Sequence, residues 1–199
     1  MAMERPTTIE GPNPGEFEDL LRELLEMNTS AGYKAEIIGG KIVVSPWQRP
    51  YYKRALKLLQ QRLAPHVPAG HDASVGPFLF AFPAAKRAFG PDLHVADEAA
   101  FEQTRGAVAG AALSLVAEMT SESTRDADWE DKLAVYGRNV PVYLLVDMQT
   151  QEITAFWRPS PNGYRARRTV SFGEALPIPE PFGFELDTTG FEPPGFETE

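Results

Sequence analysis

Three acidic residues lie in or next to segments that are predicted to be buried strands. Asp92 directly precedes the predicted strand LHV, Glu118 interrupts the apolar run LVAEMT, and Glu36 lies in the β-rich run YKAEII. A carboxylate inside an apolar strand strongly destabilises the fold unless it is paired or binds a cation. Three converging carboxylates would repel one another, and a hard divalent cation, Mg²⁺ or Mn²⁺, would remove that repulsion. A simpler interpretation, which the residues alone favour, is that an arginine or a helix start neutralises each one separately.

Two amphipathic helices are predicted in the first third of the chain. Asn13 is a candidate N-cap, with proline at the next position, and residues 17–27 then repeat apolar side chains at three- and four-residue spacing. Residues 51–63 show the same periodicity and carry four basic side chains. The second helix is therefore the most basic predicted element.

Most of the remaining chain is predicted to form strands. Gly39-Gly40 separates two β-rich runs and tolerates the positive φ angles of a tight hairpin turn. Residues 111–119 are almost uninterruptedly apolar, which is typical of a central strand covered on both faces. Residues 128–138 are predicted to be helical. The predicted strands are 33–38, 41–44, 74–82, 93–95, 111–119, 140–147, 153–157 and 164–170, with a loop at 83–90.

Length and composition predict one globular domain. The chain has 199 residues, of which 43% are hydrophobic and 24% charged. We expect a flexible N-terminus at residues 1–12, a single domain at 13–176, and a proline-rich acidic tail at 177–199 that is only partly ordered. The absence of cysteine excludes a disulfide scaffold, a thiolate zinc site and a cysteine nucleophile. It also fits a reducing compartment, and no apolar stretch predicts a leader or a membrane span, so we expect a cytoplasmic protein.

Several enzyme classes lack their motifs in this sequence. Gly39-Gly40 is not followed by the lysine and the serine or threonine of a phosphate-binding loop. The histidines His66, His71 and His94 do not have the spacing of a zinc protease, and no Gly-x-Ser-x-Gly elbow occurs. Nucleotide hydrolysis by a phosphate loop, zinc proteolysis and serine hydrolysis are therefore not expected.

Charge is distributed unevenly along the chain. The net charge is −9, yet residues 34–87 carry +7 and residues 88–132 carry −7. Such a partition suits an enzyme that holds a polyanion beside a cation-gathering cleft, although ordinary scatter explains it equally well. The candidate phosphate contacts, three of which are equally consistent with a solvated helix face, are Lys53, Arg54, Lys57, Lys86 and Arg87.

Four segments together carry a family resemblance. They are YKAEIIGGKIVVSP at 33–46, the dipeptide PD at 91–92, VAEMTSEST at 116–124, and DWEDKLAVYGRNVPVYLLVD at 128–147. On these segments the chain resembles the Uma2 family of restriction-endonuclease-like proteins, within the PD-(D/E)xK nuclease superfamily, over roughly residues 15–172. The resemblance implies an α+β or α/β protein with a restriction-endonuclease-like core, in which helices flank a mixed central sheet.

The resemblance also implies site residues. Asp92 and Glu118 would be metal ligands for Mg²⁺ or Mn²⁺, with Glu36 beside them. The superfamily pattern has a lysine two residues after the glutamate, where this chain has Thr120, and Lys132 resembles the substitute that the family uses. That lysine would orient a water molecule or stabilise developing negative charge.

The implied activity is hydrolysis of DNA phosphodiester bonds by a metal-dependent endonuclease. The sequence departs from the family pattern at two positions: Thr120 replaces the superfamily lysine, and Tyr52 stands where family members often have histidine. The alternative is therefore a catalytically inactive binding or accessory module. On spacing alone, Lys132 can equally be a solvated lysine beside a packed Tyr136. We expect DNA as the partner and no membrane association, and the sequence is compatible with a homodimer.

Overall fold

The architecture comes from a computed structural model that describes residues 7–9, 17–30, 32–46, 50–120 and 128–193. The candidate N-cap Asn13 and the serine- and threonine-rich residues 121–124 lie outside these ranges. Within the described part of the chain, no helix is long and apolar enough to cross a membrane.

Both amphipathic helices form where the apolar spacing predicts them. Helices α1 (Phe17–Glu26) and α2 (Lys53–Leu63) each bury one stripe of apolar side chains against a sheet. Helix α3 (Ala99–Glu102) was not predicted, and α4 (Leu133–Asn139) follows one π-helical turn at Asp128–Lys132. Short 3₁₀ turns lie at Pro50–Tyr52, Ala64–His66, Pro83–Ala85 and Gly110–Ala112.

One six-stranded sheet, called the first sheet, contains the predicted hairpin. Gly39 and Gly40 have φ angles of +60° and +74°, the left-handed region that a two-residue hairpin turn requires. The strand order is β1-β3-β2-β6-β5-β8, antiparallel except for the pair β5 and β8. With strands numbered in chain order through the whole protein, its members are β1 (Thr7–Ile9), β2 (Tyr33–Ile38), β3 (Lys41–Pro46), β5 (Phe80–Phe82), β6 (Arg87–Phe89) and β8 (Val108–Ala109).

The second sheet is mixed and forms the centre of the domain. Its order is β12-β11-β10-β9-β7-β4, with β9 and β10 parallel and the other pairs antiparallel. Every residue of β9 and β10 is buried, as a strand covered on both faces requires. The crossover between these two parallel strands contains α4. The members are β4 (His71–Ser74), β7 (Leu93–Asp97), β9 (Leu113–Thr120), β10 (Val142–Asp147), β11 (Glu152–Trp157) and β12 (Ala166–Ser171).

The two faces of the second sheet bury separate cores. On one face, alternate side chains such as Leu115 and Leu144 pack against α2 and a C-terminal hairpin. On the other face, Val116 and Tyr143 pack against α4 and the phenylalanines of the first sheet. Because side chains alternate across a strand, Glu118 points to the same face as Val116 and so towards α4.

Two expectations from the sequence differ from the structure. The predicted strand 74–82 is two strands in different sheets, β4 and β5, because residues 75–79 leave the second sheet at Gly76 and Pro77. The predicted loop 83–90 contains β6, which pairs with β2 and β5.

The described part of the proline-rich segment, residues 177–193, packs against the rest of the structure. It contributes to a hairpin of β13 (Ala175–Ile178) and β14 (Phe184–Asp187), and its apolar side chains join the core beneath α2. The buried apolar side chains of the hairpin and of the residues that follow it are Leu176, Ile178, Phe182, Leu186 and Phe191. Packing against α2 supplies the apolar contacts that the local composition alone does not reveal.

Candidate active site

Antiparallel pairing brings Asp92 and Glu118 together. Strands β7 and β9 pair with Leu93 opposite Ala117, so the next position in register places Asp92 opposite Glu118. Residues opposite each other on antiparallel strands project to the same face. The Asp92 Oδ2 atom accepts a 2.7 Å hydrogen bond from the Met119 backbone N–H, which fixes the carboxylate against β9.

Glu118 is held by two side chains that lie one helical turn apart. Lys132 Nζ donates to Glu118 Oε1 at 2.9 Å, and the Tyr136 hydroxyl donates to the same oxygen at 3.2 Å. Residues four apart share one face of a helix, so the α4 region presents both groups to β9. Lys132 is only 2% exposed and is therefore not the solvated lysine that its spacing alone allowed.

Glu36 reaches the same cluster from the first sheet. Its Oε1 atom lies 3.1 Å from Lys132 Nζ and accepts a 2.8 Å hydrogen bond from the Gly90 backbone N–H. Lys132 thus bridges Glu36 and Glu118, which belong to different sheets. The tertiary structure therefore brings all four predicted catalytic residues, Glu36, Asp92, Glu118 and Lys132, into one connected cluster.

A second lysine, Lys34, completes the cluster and was missed by the sequence analysis. Its Nζ donates to the Gly90 carbonyl at 3.0 Å and lies 3.6 Å from Asp92 Oδ1 and 3.7 Å from Glu36 Oε2. The available signal was its position two residues before Glu36, which puts both side chains on one face of β2. Alternating lysines and carboxylates therefore run from Asp92 through Lys34, Glu36 and Lys132 to Glu118.

Burial makes these charges depend on one another. None of the three carboxylates and two lysines is more than 9% exposed. Burial alone would raise the pKa of Glu36, but Lys132, Lys34 and the Gly90 N–H outweigh it and lower that pKa. Burial likewise opposes the charge on Lys34, yet Glu36 and Asp92 raise its pKa above the ordinary value. The five groups carry one net negative formal charge.

Tyr136 remains a hydrogen-bond donor in this setting. Its hydroxyl is fully buried, and burial together with the charge of Glu118 raises its pKa well above the ordinary value. The protonated hydroxyl therefore orients Glu118 at any physiological pH. A second tyrosine, Tyr52, donates from its hydroxyl to the Thr120 carbonyl at 3.4 Å. The residue that stands where the resemblance led us to expect a histidine therefore contacts the end of β9.

The chemistry of Asp92 and Glu118 fits a hard divalent cation. Both supply carboxylate oxygens, the ligands that Mg²⁺ and Mn²⁺ take, and the net negative charge of the cluster favours a cation. Among the described residues, however, no three acidic, histidine or cysteine side chains are arranged as a ready metal site. The two ammonium groups compensate two of the three carboxylate charges, an arrangement that the sequence analysis did not consider.

The candidate phosphate contacts lie in two different settings. Lys53, Arg54 and Lys57 are exposed on α2, and Lys86 is exposed at a turn. Arg87 instead donates twice to Asp131, at 2.8 and 3.1 Å. Asp131 also accepts the Gly39 N–H at 3.1 Å, so this pair fastens the β2–β3 turn to the residues that carry Lys132.

Comparison with solved structures defines the class of the fold. The chain is similar to a protein from Anabaena variabilis ATCC 29413 described as "a putative nuclease belonging to DUF820", with a TM-score of 0.63 and 16% sequence identity. The match covers 86% of this chain and 98% of that one. The mixed α+β architecture is therefore that of a nuclease-like fold.

The sequence comparison identifies the family. The model of the Uma2 family, described as "Putative restriction endonuclease", matches residues 17–189. The chain belongs to the Uma2 family, as its motifs indicated. No curated protein matches it.

Proposed function

We propose that this Uma2 protein is a divalent-metal-dependent endonuclease that hydrolyses DNA phosphodiester bonds. The observation that carries the proposal is the buried cluster in which Lys132 bridges Glu36 and Glu118 beside Asp92. Buried charges destabilise a fold unless they are fully paired, so such a cluster is more typical of a functional site than of a structural core. Membership in a nuclease family supports the same reading.

Each side chain has a distinct role in the proposed reaction. Asp92 and Glu118 would hold Mg²⁺ or Mn²⁺, which when bound would polarise the phosphate and lower the pKa of a water molecule. Lys132 would orient the attacking water or stabilise the negative charge that develops on the phosphate. Lys34 and Tyr136 position Asp92 and Glu118 by the contacts described above. The exposed Lys53, Arg54, Lys57 and Lys86 are the candidate contacts to the DNA backbone, with Arg87 acting through Asp131.

A cleavage assay tests this proposal directly. Supercoiled, linear and single-stranded DNA are incubated with the protein in Mg²⁺, Mn²⁺ or EDTA. We expect cleavage with a divalent ion only, and a loss of at least about a hundredfold in Glu118→Gln and Asp92→Asn. Glu152→Gln, an exposed glutamate on β11, is the matched control and should cleave like the wild type.

Lys132→Met separates catalysis from DNA binding in the same assay. If the ammonium acts on the transition state, the variant should bind DNA with nearly unchanged affinity but cleave it orders of magnitude more slowly. Arg138→Met, an exposed change in the same helix, controls for helix disturbance. Equal cleavage by wild type and Lys132→Met, after identical purification, would remove this lysine from the mechanism.

A second candidate function is a non-catalytic DNA-binding or accessory module. Two observations favour it: the lysines and carboxylates of the cluster neutralise one another, and the superfamily lysine position holds the buried Thr120. Saturable DNA binding without cleavage of any substrate in either metal would support this module and overturn the endonuclease.

A further inference from the structure

A groove separate from the candidate active site opens at the β4 edge of the second sheet. It encloses about 390 Å³ between β4, β7 and α3, and lies next to the candidate active site because His94 follows Asp92 by two residues. Apart from Ser74 and Ala96, the side chains that line it are acidic groups and aromatic rings. They include Asp72, Phe78, His94, Glu98, Phe101 and Glu102.

Three rings form a continuous aromatic wall in this groove. Phe78 contacts Phe101 edge-on with ring centroids 4.9 Å apart, and His94 stacks beside Phe101 at 5.9 Å. Phe78 is 44% exposed, although its ring already has aromatic neighbours. A ligand that covered this ring would therefore remove apolar surface from water.

His94 adds a polar atom that the surrounding protein does not satisfy. The side chain is only 1% exposed, and its Nδ1 atom has no hydrogen-bond partner among the described residues. Ser74 stands opposite His94 on β4, but its hydroxyl donates to Asp72 at 2.6 Å. A buried nitrogen without a partner is uncommon, and in the tautomer that carries its proton on Nε2 a ligand N–H would satisfy Nδ1.

The acidic side chains of the groove determine the charge of a suitable ligand. Asp72, Glu98 and Glu102 are exposed, and none forms an ion pair with a lysine or arginine in the described part of the chain. Three carboxylates repel phosphate and other anions. These carboxylates and His94 are not arranged to hold a metal ion: no three acidic, histidine or cysteine side chains in the described part of the chain are.

We propose that this groove binds an organic cation of the alkylammonium class. The ammonium would face the three carboxylates and His94, while its methylene groups would cover Phe78 and Phe101. Aromatic faces and carboxylates together are the usual recognition chemistry for such cations. The proposal is independent of the nuclease reaction and requires neither DNA nor a divalent metal.

The test is a titration of the ¹³C-labelled protein with n-butylammonium chloride, followed by NMR at constant ionic strength. We expect saturable shifts of the His94 and Phe78 ring signals. The uncharged 1-butanol, which has the same chain length, should bind at least about tenfold more weakly because it lacks the charge. Equal shifts with butanol, or no saturation of the His94 signals up to solubility, would overturn the proposal.

Variants at exposed positions test the individual contacts without disturbing the core. Phe78→Ala should weaken butylammonium binding roughly three- to fivefold, and the double variant Asp72→Asn, Glu102→Gln roughly tenfold. Val75→Ala, another exposed apolar residue of the same segment, and Glu26→Gln on α1 should bind like the wild type. Unchanged affinity in both groove variants would exclude this groove as the binding site.

Two further probes distinguish the sources of the ammonium group. Spermidine represents a free polyamine, and an acetylated Gly-Lys-Gly amide represents the lysine side chain of a protein. Stronger binding of spermidine would identify a small-molecule site, and stronger binding of the peptide would identify a protein-docking site. Failure of both probes to shift the His94 ring signals would overturn the proposal.

Discussion

At the scale of single residues, the cluster is a set of charges that are stable only together. Lys132 lies within 3.1 Å of carboxylate oxygens from two sheets, so its removal leaves both acids buried without their shared cation. Breaking a buried ion pair on one side costs about 3–5 kcal/mol, far more than an exposed pair contributes.

Lys132→Met should therefore lower the free energy of unfolding by about 3–5 kcal/mol. Adding Glu118→Gln should cost less than the sum of the two single changes, because the first change already leaves Glu118 uncompensated. Urea unfolding of the wild type, both single variants and the double variant measures this coupling. Arg138→Met should stay within about 0.5 kcal/mol of the wild type, and strictly additive effects would contradict the pairing.

The buried His94 should make the free energy of unfolding depend on pH just below neutrality. Burial lowers the pKa of His94 to about 4, with Asp72 opposing the shift. Because the unfolded chain takes up the proton first, stability is complete above the unfolded pKa of about 6.5 and falls as the pH drops from there towards 4.

The wild type should therefore lose roughly 2 kcal/mol more than His94→Phe when the pH falls from about 7 to about 5. Urea unfolding at the two pH values measures the difference, and Phe replaces the ring within an existing aromatic cluster. His71→Gln serves as the control and should keep the wild-type pH dependence. An equal loss in wild type and His94→Phe would show that His94 does not cause it.

At the scale of elements, hydrogen bonds join α4 and the residue after it to the turn before β12, and this fixes the position of α4 on the second sheet. The Ser160 N–H donates to the Gly137 carbonyl at 3.0 Å, and the Tyr164 hydroxyl donates to the Val140 carbonyl at 2.8 Å. A Cβ atom on Gly137 would lie 3.0 Å from the Gly163 Cα and the Tyr164 backbone N, neither of which is a flexible side-chain end. An alanine here would require the backbone of this turn to shift by a few tenths of an ångström.

Gly137→Ala should therefore destabilise the protein by about 1–2 kcal/mol, although alanine in a helix interior is ordinarily favourable by about 1 kcal/mol. Any DNA cleavage should fall as well, because displacing α4 moves Lys132 relative to Glu118. Thermal unfolding and the cleavage assay measure the two effects. Arg138→Ala, next to it and exposed, should change neither, and a stabilised Gly137→Ala would show that the turn can give way.

At the scale of the whole molecule, the C-terminal hairpin belongs to the central core. Leu176 and Leu186 are fully buried in the same cluster as Leu59 of α2 and Leu115 of β9. Arg62 of α2 reaches this segment as well, donating to the Asp187 carbonyl at 2.6 Å. The described part of the proline-rich segment thus covers one side of this core.

Leu186→Ala should cost about 2–5 kcal/mol, the usual loss for a fully buried leucine. Glu185→Ala, its exposed neighbour on β14, should remain within about 0.5 kcal/mol of the wild type. Urea unfolding of both variants is the measurement. Equal stability of the two variants would indicate that the hairpin folds without supporting the core.

The sequence by itself determined the elements whose patterns are local. The spacing of leucines predicted α1 and α2, Gly39-Gly40 predicted the turn, and the apolar run interrupted by Glu118 predicted the central strand β9. It also pointed to the three acids, because a carboxylate in an apolar strand requires a partner wherever the strand lies.

Only the tertiary structure decided which partners these acids have. Lys132 connects Glu36 to Glu118 across two sheets, and Lys34 stands between Glu36 and Asp92. A lysine on a strand or helix has the same local pattern whether it is solvated or buried, since its pairing depends on elements distant in the chain. For the same reason, short strands such as β6 and the C-terminal hairpin became recognisable only through the surfaces against which they pack.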